Sequence, residues 1–207
     1  MSAYVIEGGR PLEGSVEVHG AKNSVLPILA PSLLAPGACV IQNCPRLSDV
    51  EASLAILRHL GCRAEWQGDG VVVDASAPSR WDVPDALMRE MRSSVIFLGA
   101  ILGRMGQARL CAPGGCELGP RPIDLHLGAI RALGGRVEDW EGGLFCTGTL
   151  HGADIVLSLP SVGATENAML AAVCAQGTTT ITNAAREPEI VDLQGFLQAL
   201  GARVRGA

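Results

Sequence analysis

Residues 57–65 read LRHLGCRAE, residues 130–138 read IRALGGRVE, and residues 197–205 read LQALGARVR. Each stretch reads as the end of a helix, a glycine stop, and the start of a strand. The glycines, Gly61, Gly134 and Gly201, are 73 and 67 residues apart, so the chain repeats one structural unit. Upstream of each lies an arginine followed three residues later by an acid: Arg46/Asp49, Arg121/Asp124 and Arg186/Glu189. Before that comes a helix of small residues that closes on Gly37, Gly106 or Gly177.

A unit therefore reads strand, helix, strand, helix, then two short strands. In the first unit the expected elements are residues 15–18, 22–34, 38–42, 47–60, 63–66 and 71–74. Such alternation predicts an α/β (α+β) fold in which helices pack on mixed sheet with internal pseudo-symmetry, over repeats of about 15–75, 80–148 and 152–207. Two departures carry information. Gly37 to Arg46 and Gly177 to Arg186 are both 9 residues, but Gly106 to Arg121 is 15. The six extra residues fall in the Gly- and Pro-rich stretch 112–120, which holds one thiol, Cys116, and reads as a functional loop. The third unit is cut short, with only six residues after Gly201 where the first two units continue into a hairpin. The expectation is that something follows it or pairs with it.

Hydrophobic residues make up 48% of the 207 and charged residues 18%, so a large core is expected, and with 3% aromatics it must be aliphatic. A net charge of −5 argues against a nucleic-acid binder, and an anionic ligand needs a local basic pocket instead. Seven cysteines without zinc-type pairs, and no basic-then-apolar N-terminus, read as reduced thiols in the cytoplasm. The apolar run over residues 24–41 is broken by Pro27, Pro31, Pro36 and Gly37, against a membrane span. Fifteen arginines accompany a single lysine, Lys22.

Cys116 reads either as a general acid or nucleophile exposed by its glycines, or as an ordinary loop cysteine. Cys39, Cys44, Cys62, Cys111, Cys146 and Cys174 lie in or beside apolar runs and read as small buried hydrophobes. Lys22 opens a helix at a strand-to-helix junction and is either an anion ligand or a solvated lysine. Arg92 lies in an expected helical stretch over 85–102 and is either a snorkelling side chain or an anion ligand. Residues 121–126 (RPIDLH) are either scaffold or site, with His126 read as a satisfied, partly buried histidine. Residues 161–167 (SVGATEN) offer backbone N–H groups to a ligand, or simply cap a helix.

Taken together, residues 20–29 (GAKNSVLPIL), 112–126 (APGGCELGPRPIDLH), 161–170 (SVGATENAML) and 183–202 (NAAREPEIVDLQGFLQALGA) resemble the UDP-N-acetylglucosamine 1-carboxyvinyltransferases. The resemblance runs from about residue 4 to the C-terminus. It implies an inside-out α/β barrel of three βαβαββ repeats, here with the third truncated. Residues 1–20 would pack with a second domain, residues 21–207 would form the first domain, and the second domain would come from elsewhere, as a missing C-terminal domain or a complementary chain. It also implies transfer of the enolpyruvyl group of phosphoenolpyruvate to the 3-hydroxyl of UDP-N-acetylglucosamine, with release of phosphate, in peptidoglycan synthesis. No metal, cofactor, nucleic acid or membrane is expected to take part. By resemblance Cys116 is the general acid and the fosfomycin-reactive thiol, and Lys22 and Asn23 contact phosphoenolpyruvate. Arg92, Arg121, Pro122, Ile123, Asp124, Leu125, Ser161, Val162 and Gly163 form the UDP-sugar surface. Some members carry a lysine just before the SVGAT segment, where this chain has Leu159 and Pro160. Two alternatives stay open: a non-catalytic UDP-sugar-binding half, and the related 5-enolpyruvylshikimate-3-phosphate synthase activity.

Overall fold

A computed structural model describes residues 3–111, 122–140 and 142–207 and divides them into the three repeated units. Unit one comprises α1 (Lys22–Leu29), a 3-10 turn (Ala30–Leu34), β1 (Ala38–Ile41), α2 (Ser48–His59), β2 (Arg63–Gln67) and β3 (Gly70–Asp74). Unit two comprises β4 (Asp82–Val83), α3 (Asp85–Glu90), a 3-10 turn (Arg92–Ile96), α4 (Phe97–Met105), β5 (Gln107–Cys111), α5 (Asp124–Ala132), β6 (Arg136–Trp140) and β7 (Gly143–Thr147). Unit three comprises β8 (Asp154–Val156), α6 (Val162–Ala172), β9 (Thr180–Thr182) and α7 (Pro188–Ala199).

The three repeated glycines close α2, α5 and α7 in one way. Gly61, Gly134 and Gly201 sit at φ of +96°, +90° and +96°. The next amides, of Cys62, Gly135 and Ala202, reach back to the carbonyls of Leu57, Ile130 and Leu197 at 3.0, 2.9 and 3.0 Å. This left-handed closure satisfies carbonyls that the helix end would otherwise orphan, and a Cβ would strain it. At the opposite ends, the acids of the repeated Arg/acid pairs (Asp49, Asp124 and Glu189) stand in the first turns, where they complement the helix dipole.

The sheets repeat as well. Unit one forms a sheet of order β1-β3-β2, antiparallel throughout. Unit two forms β4-β5-β7-β6, in which β4 lies parallel to the edge of β5. In unit three β8 pairs parallel with β9. The strand expected over residues 15–18 is not formed. Residues 3–21 adopt neither helix nor strand, and Val16 and Val18 are 86% and 87% exposed. In unit two the first strand is held by backbone pairing to β5, whereas residues 15–18 pair with no strand among the described residues. The helix expected over 85–102 is also interrupted. Met91 is extended and buried, its sulfur 3.4 Å from the Ser53 hydroxyl. Ser94 Oγ takes the Met88 carbonyl at 3.0 Å, replacing a helical amide donor. Of the cysteines read as buried, Cys44, Cys62 and Cys146 are so, while Cys39 and Cys111 are half-buried and Cys174 is exposed.

α4 and α6 occupy the inside, while α2, α5 and α7 each keep an exposed face. Residues 164–171 of α6 are all buried, the mark of a helix enclosed on every side. α4 crosses it closely because Gly99 and Gly103, one turn apart, face α6. A Cβ on Gly99 would stand 2.5 Å from the Asn167 carbonyl oxygen, and one on Gly103 would stand 3.0 Å from the Cys174 sulfur. On the outside, Val40 is 60% exposed and Arg63 pairs with Glu65 in solvent.

Two ionisable side chains are buried among these helices. Burial, then the nearby Glu189 and Glu187, push the Glu166 carboxyl up from 4.5 to about 7. Burial pulls His126 down from 6.5 to about 4 against the opposing pull of Asp124.

Gly99→Ala must move backbone and is expected to cost about 1–3 kcal/mol, read as a lowered melting temperature, whereas Gly195→Ala, with open space around it, should cost far less. The stability that Glu166 contributes in its neutral form is present below pH 4.5 and is lost as pH rises through about 7. His126 works in the opposite sense, its stability being present above pH 6.5 and lost as pH falls toward 4. Melting curves of Glu166→Gln should therefore lose the decline toward neutral pH and keep a decline on acidification; a profile parallel to wild type would refute the assignment.

Candidate functional site

In each unit a helical segment begins with residues singled out in the sequence. Lys22 and Asn23 open α1, Arg92 opens the 3-10 turn that leads into α4, and Val162 and Gly163 open α6 after Ser161. The second helices, α2, α5 and α7, carry Asp49, Asp124 and Glu189 in their first turns.

These starts meet at one end of the helical interior. Lys22 Nζ forms an ion pair with Asp49 at the start of α2. Ser24 Oγ donates to Asp192 Oδ2 of α7 at 2.6 Å. The α6 start is tied to the segment before α7, where the Ala185 amide donates to Thr165 Oγ1 at 3.0 Å. It also touches α5, since Gly163 lies against the His126 ring: a Cβ there would stand 3.0 Å from Cε1 and 3.3 Å from Nε2. The Asn167 side chain connects α6 to Val95, in the turn that Arg92 opens, at 3.0 Å.

Several features suit an anion. Helix N-termini concentrate unpaired N–H groups and the positive end of the dipole. The α1 start carries no side-chain cap, and Lys22 and Asn23 are exposed beside it. Pro27 has no N–H to give, so the Asn23 carbonyl loses its usual helical donor. At the α6 start the Ser161 hydroxyl accepts from the Ala164 amide at 3.3 Å, so Ser161 does act as a cap there. Arg92 is half-buried, and its Nη1 is buried with no hydrogen-bond partner among the described residues. A guanidinium nitrogen without a partner in such a place is costly unless a ligand satisfies it. Lys22 is half-exposed in its ion pair with Asp49, which limits what the pair contributes to stability.

Asp124 and Leu125 line a shallow cleft of about 190 Å³ between α5 and β8, together with Gly128 and residues 154–157. Pro122 is exposed and Ile123 is half-buried just ahead of α5. Leu159, where some relatives are expected to carry a lysine, is 65% exposed. A larger open cleft of about 310 Å³ lies on the outer face of the first sheet, among Arg63, Glu65, Trp66 and Asp74, and none of the expected site residues lines it. Cys116 and Arg121 lie outside the described residues. Among the described residues, no group of three His, Cys, Asp or Glu side chains is placed to hold a metal ion, and no helix is long and apolar enough to cross a membrane.

The structure therefore ties Lys22 to the start of α2 and Ser24 to α7, and through His126 and Asn167 it ties Gly163 to the segments that carry Asp124, Leu125 and Arg92. The sequence reading missed Asn167 as the connector of three of these segments and treated Asp49 only as half of a repeated pair. Asp49 was signalled by that repeat; Asn167, one polar residue in a small-residue helix, had no signal of its own.

A family model described as EPSP synthase (3-phosphoshikimate 1-carboxyvinyltransferase) matches residues 6–207. The chain is 52% identical over 208 residues to UDP-N-acetylglucosamine 1-carboxyvinyltransferase 2 of Caldanaerobacter subterraneus subsp. tengcongensis, covering 100% of this chain and 50% of that protein. It is 51% identical over 211 residues to UDP-N-acetylglucosamine 1-carboxyvinyltransferase 1 of Symbiobacterium thermophilum, covering 99% and 48%. Among solved structures, the enolpyruvyl transferase NikO from Streptomyces tendae superposes with a TM-score of 0.84 at 28% identity, over 96% of this chain and 47% of that one. EPSP synthase from Acinetobacter baumannii shares the fold at a TM-score of 0.67 and 21% identity, over 94% and 45%. The chain spans about half the length of the curated relatives it matches. With its repeated α/β units and a family match across nearly its whole length, the chain belongs to the EPSP synthase family of enolpyruvyl (1-carboxyvinyl) transferases.

Proposed function

We propose that this chain forms the first half of a UDP-N-acetylglucosamine 1-carboxyvinyltransferase, acting in the cytoplasm in peptidoglycan synthesis. It supplies one wall of the active-site cleft, and the opposite wall comes from a second domain like the one that the relatives carry beyond the matched region. The observation that carries this reading is that Asn167 ties the segments bearing Arg92, residues 122–125 and residues 161–163 together, with Arg92 Nη1 buried and unpaired among the described residues. Relatives that are half identical to this chain are named for this reaction.

In this reading Lys22 and Asn23 hold phosphoenolpyruvate. Arg92, Arg121, Pro122, Ile123, Asp124, Leu125, Ser161, Val162 and Gly163 hold the UDP-sugar. The Cys116 thiol gives a proton to the methylene carbon of phosphoenolpyruvate, which builds positive character on the neighbouring carbon. The sugar 3-hydroxyl attacks that carbon and gives up its own proton. Loss of phosphate and of one methyl proton then restores the double bond. Fixed cations and helix N-termini lower the barrier because they face the phosphate and carboxylate charge without having to reorganise. The second domain supplies a carboxylate for the hydroxyl proton.

The coverage of only half of each relative favours a second reading, in which this chain alone binds the UDP-sugar without turning it over. Calorimetry with UDP-N-acetylglucosamine tests the shared part: saturable binding, weakened about ten-fold or more by Arg92→Ala, is expected, and an unchanged affinity in that variant would contradict the site. Phosphate release that needs both substrates and vanishes in Cys116→Ser supports catalysis by this chain; binding without release supports the second reading. Competition by shikimate 3-phosphate instead would point to the EPSP synthase reaction. Intact-mass analysis should show a fosfomycin adduct that is lost in Cys116→Ser, and an adduct retained by that variant would remove Cys116 from its role.

A further inference from the structure

The Asn167 carboxamide is fully buried and engages three separate segments. Its Oδ1 accepts from the Gly99 amide of α4 at 2.8 Å. Its Nδ2 donates to the Val95 carbonyl at 3.0 Å and lies 2.8 Å from His126 Nδ1. The first two contacts fix the orientation of the amide, because an N–H and a carbonyl cannot exchange places. Nδ2 has two hydrogens; one goes to Val95, so the other points at His126 Nδ1. That nitrogen must then be the acceptor, which places the imidazole proton on Nε2 and keeps the ring neutral. Burial acts in the same sense by disfavouring the imidazolium. The ring edge bearing Cε1 and Nε2 is pressed on Gly163.

Each segment held in this way carries residues of the proposed UDP-sugar wall. Val95 belongs to the turn that begins at Arg92, His126 lies in α5 directly after Asp124 and Leu125, and Asn167 sits one turn into the helix that begins at Val162 and Gly163. We propose that Asn167 is a positioning residue that holds Arg92, the 122–125 segment and the 161–163 segment in one geometry by means of a single carboxamide and the Nε2–H tautomer of His126. Its link to the UDP-sugar rests on the function proposed above; the link among the three segments does not. Asn167 touches no substrate in this account. Its effect is preorganisation: a wall already set in place spends no binding energy on ordering itself.

The test combines a ligand-free readout with a ligand-bound one. Long-range nitrogen–proton NMR of the imidazoles in wild type should show His126 as the neutral Nε2–H tautomer, and an Nδ1–H signal would overturn the proposal. Asn167→Asp cannot donate to both Val95 and His126. It should shift His126 toward an Nδ1–H form and speed hydrogen exchange together in residues 92–96, 123–126 and 162–166, with the strands β1–β3 unchanged. Its affinity for UDP-N-acetylglucosamine should fall about ten-fold or more. His126→Phe, which keeps a ring and removes Nδ1, gives a milder variant should the aspartate fail to fold; it should speed exchange in 123–126 and leave 92–96 protected. A folded Asn167→Asp that exchanges faster only within α6, or that binds the nucleotide sugar within two-fold of wild type while wild type binds, would overturn the proposal. If wild type does not bind at all, the proposed function fails, and the exchange pattern still decides whether Asn167 ties the three segments together.

Discussion

The contact on which the rest of the structure depends is the approach of α4 to α6. Gly99 and Gly103 present bare backbone to α6, and one Asn167 side chain spans the gap. A helix enclosed on all sides has no solvent to accept its polar groups, so each one must be paired inside. α6 meets this demand with small residues over most of its length and with Asn167 and Thr165 where it needs polar links. Larger residues on α4 would push the helices apart and separate the turn that begins at Arg92 from the α6 start.

From this contact follows the electrostatic character of the end where the helices start. The starts of α1 and α2 are tied by the Lys22–Asp49 pair, the α6 start touches α5 and the segment before α7, and α2, α5 and α7 each carry an acid in the first turn. The carboxylates moderate the positive end of the fold, and Lys22 and Arg92 restore cationic charge at particular places. In the function proposed above, this gives a localised anion site on a chain whose net charge is −5. His126 and Glu166, buried behind it, are held toward their neutral forms and add no competing charge near neutral pH on the His side, while Glu166 titrates near it.

Much of this was legible in the sequence. The repeated glycine could be read because a left-handed helix closure has a strong residue preference, and all three glycines perform it with the same pair of backbone hydrogen bonds. The repeated acids could be read because each opens a helix. The strand over 15–18 was misread because alternating Val16 and Val18 satisfy a strand pattern locally, whereas a strand exists only where a neighbour pairs with it. The break at Met91 was missed for a related reason: the local run is helical, and the interruption comes from burial of Met91 against α2 and from the Ser94 hydroxyl. Lys22 and Arg92 could be noticed by rarity and by position, but the ties of their segments, Ser24 to Asp192 of α7 and Val95 to Asn167 of α6, join parts of the chain that no local pattern connects.

The central claim is that helix starts from units two and three form one surface for the UDP-sugar. It is tested most directly by following the backbone amide signals of the chain during titration with UDP-N-acetylglucosamine. The account predicts that the largest shifts fall together at the starts of the first helices of units two and three and at the start of α5, around residues 92–94, 123–125 and 161–164, all tracking one binding curve. Shifts confined to a single unit, or centred on the outer face of the first sheet around Arg63 and Trp66, would contradict it.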